Sequence, residues 1–130
     1  MKKLILIVLA MLMLSACGQD KVKHQEAVYV NITAEEAKKI MDNEEGYMIL
    51  DTRTQEEFDE GHIPGAINIP NESIGNEEIS ALPDKDQLIL VYCRSGNRSK
   101  QASEKLAALG YTNVVEFGGI NSWPGETVSG

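Results

Sequence analysis

The residues best suited to chemistry stand together in one segment, residues 93–99, with the sequence CRSGNRS. An apolar run, residues 88–92, precedes it and a stretch of helical composition follows, so we predict a link between a buried strand and a helix N-terminus. The first N–H groups of a helix have no intrahelical partner. With Arg94 and Arg98 they would form a cradle for negative charge, in which Cys93 should ionise more readily than a reference thiol of pKa about 8.5.

This placement makes Cys93 a candidate nucleophile. A thiolate can divide a group transfer into two steps, and the same cradle would stabilise a persulfide or an incoming oxyanion. We expect no metal and no cofactor, because Cys93 has no second cysteine close by and no histidine pair at ligand spacing. The alternative is that Cys93 is a small core residue and the arginines lie on a solvated face. Gly96-Asn97, flanked by arginines, favours the functional interpretation.

The rest of the chain alternates strand and helix signals. Residues 33–36 and 54–57 have the capping-box pattern that opens a helix, and Gly61 and Gly110 stand where helices should end. A weak helix is expected over residues 77–82. The predicted strands are residues 28–30, 47–50, 66–69, 88–92 and 114–117.

This alternation predicts an α/β domain with a central, mostly parallel sheet and helices on both faces. In open parallel sheets, sites form at the carboxyl ends of the strands. Asp51 and Cys93 each end a predicted strand, so we expect both at that edge.

The N-terminus has the pattern of an export signal. Lys2 and Lys3 precede an apolar stretch, residues 4–14, that is shorter than the roughly 17–25 residues of a spanning helix. Residues 14–17, LSAC, resemble the lipobox of bacterial lipoproteins. This implies a signal peptide over residues 1–16, a lipidated Cys17, a flexible tether to residue 27, and a domain over residues 28–130. An ordinary signal or an uncleaved anchor is the alternative.

The net charge of −8 argues against nucleic acid and against electrostatic docking on anionic lipid. We therefore expect the membrane link to come from lipid at Cys17, on the extracytoplasmic face of a bacterial membrane in the cell envelope. If Cys17 is acylated, Cys93 is the sole free thiol of an exported chain. We expect a monomer.

Three motifs in order resemble the rhodanese-like family of sulfurtransferases. Residues 93–99 are similar to its active-site loop, residues 51–68 (DTRTQEEFDEGHIPGAIN) to its other signature, and residues 118–123 (GGINSW) to its closing motif. The resemblance covers about residues 29–123. It implies that Cys93 takes sulfur from a donor such as thiosulfate, forms a persulfide, and passes the sulfur to cyanide or to a small-molecule or protein thiol.

The resemblance also assigns roles around Cys93. Arg94 and Arg98 are candidates for binding the anionic end of the donor, Arg94 being the more exposed; Arg98 could instead lock the loop to a carboxylate. The backbone amides of the loop would hold the sulfur. The loop residues with these binding roles are Arg94, Ser95, Gly96, Asn97, Arg98 and Ser99.

Other residues of the signatures are expected to support the site. Asp51 could accept hydrogen bonds from loop amides or pair with an arginine. Arg53 and Glu57 stand where the family tends to use an internal ion pair. His62 is expected to shape a turn, and Trp123 to pack beneath the last turn.

The sequence features are shared by three other classes of protein. A phosphatase or arsenate reductase also places Cys and Arg between a strand and a helix, but phosphatases similar in fold have a loop one residue longer than residues 93–98. A non-catalytic docking module usually lacks the cysteine. A sulfur carrier that hands its cargo to another protein would have the same sequence features.

Overall fold

The computed structural model describes residues 28–130. The predicted signal peptide, Cys17 and tether lie outside the described residues. Within residues 28–130, no helix is long and apolar enough to cross a membrane.

Five strands form one sheet in the order β1-β5-β4-β2-β3, and every neighbouring pair is parallel. The predicted α/β fold is therefore confirmed. The strands are β1 (Val30–Asn31), β2 (Met48–Asp51), β3 (Ala66–Asn68), β4 (Ile89–Cys93) and β5 (Val114–Gly119). The helices are α1 (Ala34–Asn43), α2 (Gln55–Glu60) and α3 (Asn97–Ala108), with single 3₁₀ turns at Asn71–Ser73 and Ile120–Ser122.

Apolar side chains cover both faces of the sheet, because the central strands point alternate residues to opposite sides. Val91 of β4 packs with Leu106 of α3 on one face. Leu90 packs with Ala37 of α1 and Phe117 of β5 on the other. All five residues of β4 are buried, and full burial of an aliphatic side chain contributes about 1.5–3 kcal/mol. The strand that ends in Cys93 thus lies at the centre of the sheet with every residue buried.

Both predicted capping boxes are present. The hydroxyl of Thr33 accepts a hydrogen bond from the N–H of Glu36, whose carboxylate accepts one from the N–H of Thr33. Thr54 and Glu57 make the same pair at the start of α2. The second box also fixes the position of the Glu57 carboxylate.

The prediction of a helix over residues 77–82 is wrong. The N–H of Leu82 donates to the carbonyl of Ile79 at 2.9 Å, which closes a single turn. Pro83 follows directly, and a residue before proline avoids helical backbone angles. The hydroxyl of Tyr111 donates to the Leu82 carbonyl at 2.6 Å and holds this turn against the core.

Candidate active site

Cys93 is the last residue of β4 and is buried, with 1% of its surface exposed. The chain then turns sharply into α3. Gly96 makes the turn possible, because its φ of 117° lies in the left-handed region that side chains rarely adopt. The N–H of Gly96 donates to Cys93 Sγ at 3.0 Å. The predicted strand, loop and helix N-terminus are therefore present, with an amide directed at the sulfur.

The environment of Cys93 favours the thiolate. Burial raises the pKa of the Cys93 thiol, but hydrogen bonds from Ser99 and from the amides of Gly96 and Ser95 outweigh it. The pKa therefore lies below its ordinary value. Ser99 is buried, whereas Ser95 and Asn97 are exposed, so one side of the loop lies in the protein interior and the other is open to solvent.

Arg94 and Arg98 both bind Glu57. Arg94 Nη2 lies 2.7 Å from one carboxylate oxygen, and Arg98 Nη1 lies 2.8 Å from the other. Arg98 lowers the pKa of Glu57 well below its usual range; burial opposes this, and Thr54 and Arg94 assist. The sequence prediction credited both guanidinium groups with stabilising the thiolate. In the structure the loop amides are the main support of the thiolate, and Arg98, which hydrogen-bonds Glu57, also interacts electrostatically with Cys93.

Asp51 pairs with Arg53 beneath the site. Arg53 Nη2 lies 2.6 Å from Asp51 Oδ2, and the side chains are 5% and 0% exposed. The backbone N–H of Arg53 and its Nε also donate to Asp51 Oδ1, at 2.9 and 3.0 Å. The resemblance placed Arg53 with Glu57 in an ion pair; this is wrong, because each has a different partner. Arg53 Nη2 also donates to the carbonyl of Gly61 at 2.7 Å and ties β2 to the end of α2.

Glu116, in the middle of β5, is a site residue that the sequence analysis missed. It is fully buried, and its carboxylate accepts hydrogen bonds from the Ser99 hydroxyl, the Gly118 N–H and the Asn31 side chain. A hydroxyl has one proton, so Ser99 cannot donate to Glu116 and to Cys93 at once. The Ser99 hydroxyl lies within hydrogen-bond distance of the Glu116 carboxylate, so the backbone amides are the donors left for the Cys93 thiolate. A charged residue within an otherwise apolar strand was the available signal.

His62 and Trp123 have structural contacts. His62 stacks on Phe58 with ring centroids 3.7 Å apart, and its backbone pairs with that of Val128. Trp123 packs against Phe117 at 5.9 Å between centroids, and its indole N–H donates to the Glu126 carbonyl. The last residues of the chain therefore fold back over the turn after α2.

Gly119 holds the loop by close approach. A Cβ at this position would lie 1.8 Å from the Arg94 carbonyl oxygen and 2.6 Å from the Ser95 nitrogen. The N–H of Asn121 donates to the same Arg94 carbonyl at 3.2 Å. The closing motif thus serves as a support for the loop.

We expect Gly119→Ala to displace the loop. The φ of Gly119 is −135°, which alanine adopts readily, so the displacement would come from the steric clash of the new Cβ alone. Sulfur transfer should fall roughly 10- to 100-fold, and the free energy of unfolding by about 1–3 kcal/mol. Turnover assays and urea unfolding measure both. Gly75→Ala, where nothing lies within 4 Å of the new Cβ, should change neither. Wild-type turnover in Gly119→Ala would show that the close approach is dispensable.

Known proteins are similar to this chain in sequence and in fold. The family model described as rhodanese-like domain matches residues 33–126. Thiosulfate sulfurtransferase PspE of Escherichia coli is 41% identical over 71 residues, which cover 55% of this chain and 68% of that protein. A putative sulfur carrier protein, YrkF of Bacillus subtilis, is 32% identical over 97 residues, 74% of this chain and only about half (51%) of that protein. The solved structure "rhodanese with anions from E. coli" superposes with a TM-score of 0.60 at 37% identity, over 65% of this chain and 99% of that one. With the motifs and parallel sheet described above, these matches establish that the chain belongs to the rhodanese-like domain family.

Proposed function

We propose that this protein is a sulfurtransferase that carries sulfur as a persulfide on Cys93. The observation that carries the proposal is the Gly96 N–H directed at Sγ at 3.0 Å, in a loop that lowers the pKa of a buried thiol. Backbone donors fixed in a water-poor site stabilise an anion without reorganisation. Relatives named thiosulfate sulfurtransferase support the reaction class.

The reaction balances without a redox partner. The Cys93 thiolate attacks the outer sulfur of a donor such as thiosulfate, and a new S–S bond forms. The bond to the central sulfur breaks, and its electron pair leaves with sulfite. Cyanide or a thiolate then attacks the terminal sulfur of the persulfide and leaves as thiocyanate or as a new persulfide, which restores the Cys93 thiolate.

Steady-state kinetics test this scheme. With thiosulfate and cyanide varied in turn, a covalent carrier gives parallel double-reciprocal lines. Lines that intersect would indicate direct transfer in a ternary complex and would exclude the persulfide as an obligatory intermediate.

A protein thiol is a second candidate acceptor. A relative named as a putative sulfur carrier protein supports it, although this chain spans only about half of that protein. In that role the persulfide would be cargo rather than an intermediate of free turnover. A persulfide that is stable toward cyanide and small thiols, yet moves to a protein thiol, would favour the carrier function.

We further propose that the chain is a lipoprotein anchored through Cys17 on the outer side of a bacterial membrane. Its support is the order of residues 2–17; acyl chains bind a bilayer by about 0.8 kcal/mol per buried methylene. We expect the chain made in a bacterium to enter the detergent phase on Triton X-114 partition and to incorporate labelled fatty acid. Cys17→Ser should abolish the label. Label retained in that variant would disprove lipidation at Cys17.

A further inference from the structure

The arginines of the active-site loop are already bound to a carboxylate. Glu57 presents one oxygen to Arg94 and the other to Arg98, at 2.7 and 2.8 Å. Its side chain is 16% exposed, whereas that of Arg94 is 53% exposed. The Arg98 contact keeps the pKa of Glu57 low, so the carboxylate is ionised at neutral pH. An anionic donor therefore meets guanidinium groups whose charge Glu57 already neutralises in part.

The charges at the mouth of the site cancel. The two guanidinium groups, the Glu57 carboxylate and the Cys93 thiolate together carry no net positive charge. Exposed carboxylates of Glu56, Asp59 and Glu60 share α2 with Glu57. A donor that approaches the site past α2 meets a neutral or negative electrostatic field. Each additional negative charge on the donor therefore weakens its binding.

We propose that Glu57 makes this site select sulfur donors that carry one negative charge over dianionic donors such as thiosulfate. The inference rests on the proposed function, since it concerns donors to Cys93. Glu57 is a specificity-determining residue in this account; it contacts the arginines that would meet the donor and touches no reacting atom.

Two donors of nearly the same shape isolate the effect of charge. Methanethiosulfonate has a methyl group where thiosulfate has one negatively charged oxygen, so it carries one charge instead of two. Its reaction balances in the same way: Cys93 takes the terminal sulfur, and the electron pair leaves with methanesulfinate. Both donors are measured on the same preparation of each variant. The ratio of the two kcat/KM values is then independent of the fraction of folded protein in that preparation.

The decisive variant is Glu57→Gln in the full chain carrying Cys17→Ser. Glutamine is accepted at this position of a capping box, so the start of α2 keeps its hydrogen bonds. We expect the parent protein, which has Glu57, to use methanethiosulfonate with a kcat/KM about tenfold or more above that for thiosulfate. Glu57→Gln should raise the ratio of kcat/KM for thiosulfate to kcat/KM for methanethiosulfonate about tenfold. High salt should narrow the preference of the parent protein.

Glu56→Gln is the matched control, with the same chemical change one residue earlier on an exposed side chain. It should move the ratio by less than about twofold. A parent protein that prefers thiosulfate, or a Glu57→Gln ratio equal to that of the parent, would overturn the inference and leave the proposed function intact. Absence of sulfur on Cys93 with either donor would overturn both.

Discussion

Replacement of Cys93 with serine is expected to abolish sulfur transfer, with kcat/KM lower by at least about a thousandfold. A hydroxyl oxygen cannot form the S–S bond of a persulfide, and the loop amides would then have no thiolate to stabilise. The fold should survive, because serine is slightly smaller than cysteine and the Gly96 N–H can donate to its oxygen. Thiocyanate formation from thiosulfate and cyanide measures the loss.

Two further variants make this result specific. Cys93→Ala should be equally inactive, which excludes an artefact of the serine hydroxyl. Lys100→Ala, an exposed position on α3, should keep at least about half of the activity, because it alters the same helix without reaching the loop. Substantial transfer by Cys93→Ser would remove Cys93 from the chemistry.

Asp51→Asn should cause the largest loss of stability, about 3–5 kcal/mol. The change leaves the Arg53 guanidinium buried, 5% exposed, without its anionic partner. It also places an NH₂ group where an oxygen accepted the Arg53 hydrogen bonds. A domain of this size is stable by about 5–15 kcal/mol in total. The urea midpoint, followed by fluorescence of Trp123, measures the change.

Asp59→Asn provides the control, since the same chemical change occurs there on an exposed side chain of α2. It should shift the free energy of unfolding by less than about 0.5 kcal/mol. Equal losses of unfolding free energy in the two variants would mean that the buried Asp51–Arg53 pair stabilises the fold no more than a surface charge does.

The helix starts, the buried strand before Cys93 and the turn after it could be predicted from the sequence, because residues close together in the chain determine them. The boxes at Thr33 and Thr54 each place a hydroxyl and a carboxylate three residues apart. The apolar run before Cys93 is long enough to require burial on both faces. Gly96 stands where the chain must turn from strand to helix, and the structure places it in the left-handed region.

The partners of the charged groups could not be predicted in this way. Arg98 and Glu57 are 41 residues apart in the chain and meet because α2 and α3 both begin at the carboxyl edge of neighbouring parallel strands. Glu116 reaches Ser99 only because β5 lies beside β4. These contacts depend on strand order and register, which the sequence pattern leaves open. The contact of Arg98 with a carboxylate was one of the two roles predicted for it, whereas the contact of Arg94 with the same carboxylate was not predicted.

The persulfide on Cys93 is tested most directly by the intact mass of the protein. The full chain carrying Cys17→Ser, in which Cys93 is the sole thiol, would be exposed briefly to thiosulfate and freed of excess reagent. We predict a gain of one sulfur atom that is absent in Cys93→Ser and is lost on addition of cyanide. An unchanged mass after exposure to thiosulfate, or the same gain in Cys93→Ser, would contradict the claim.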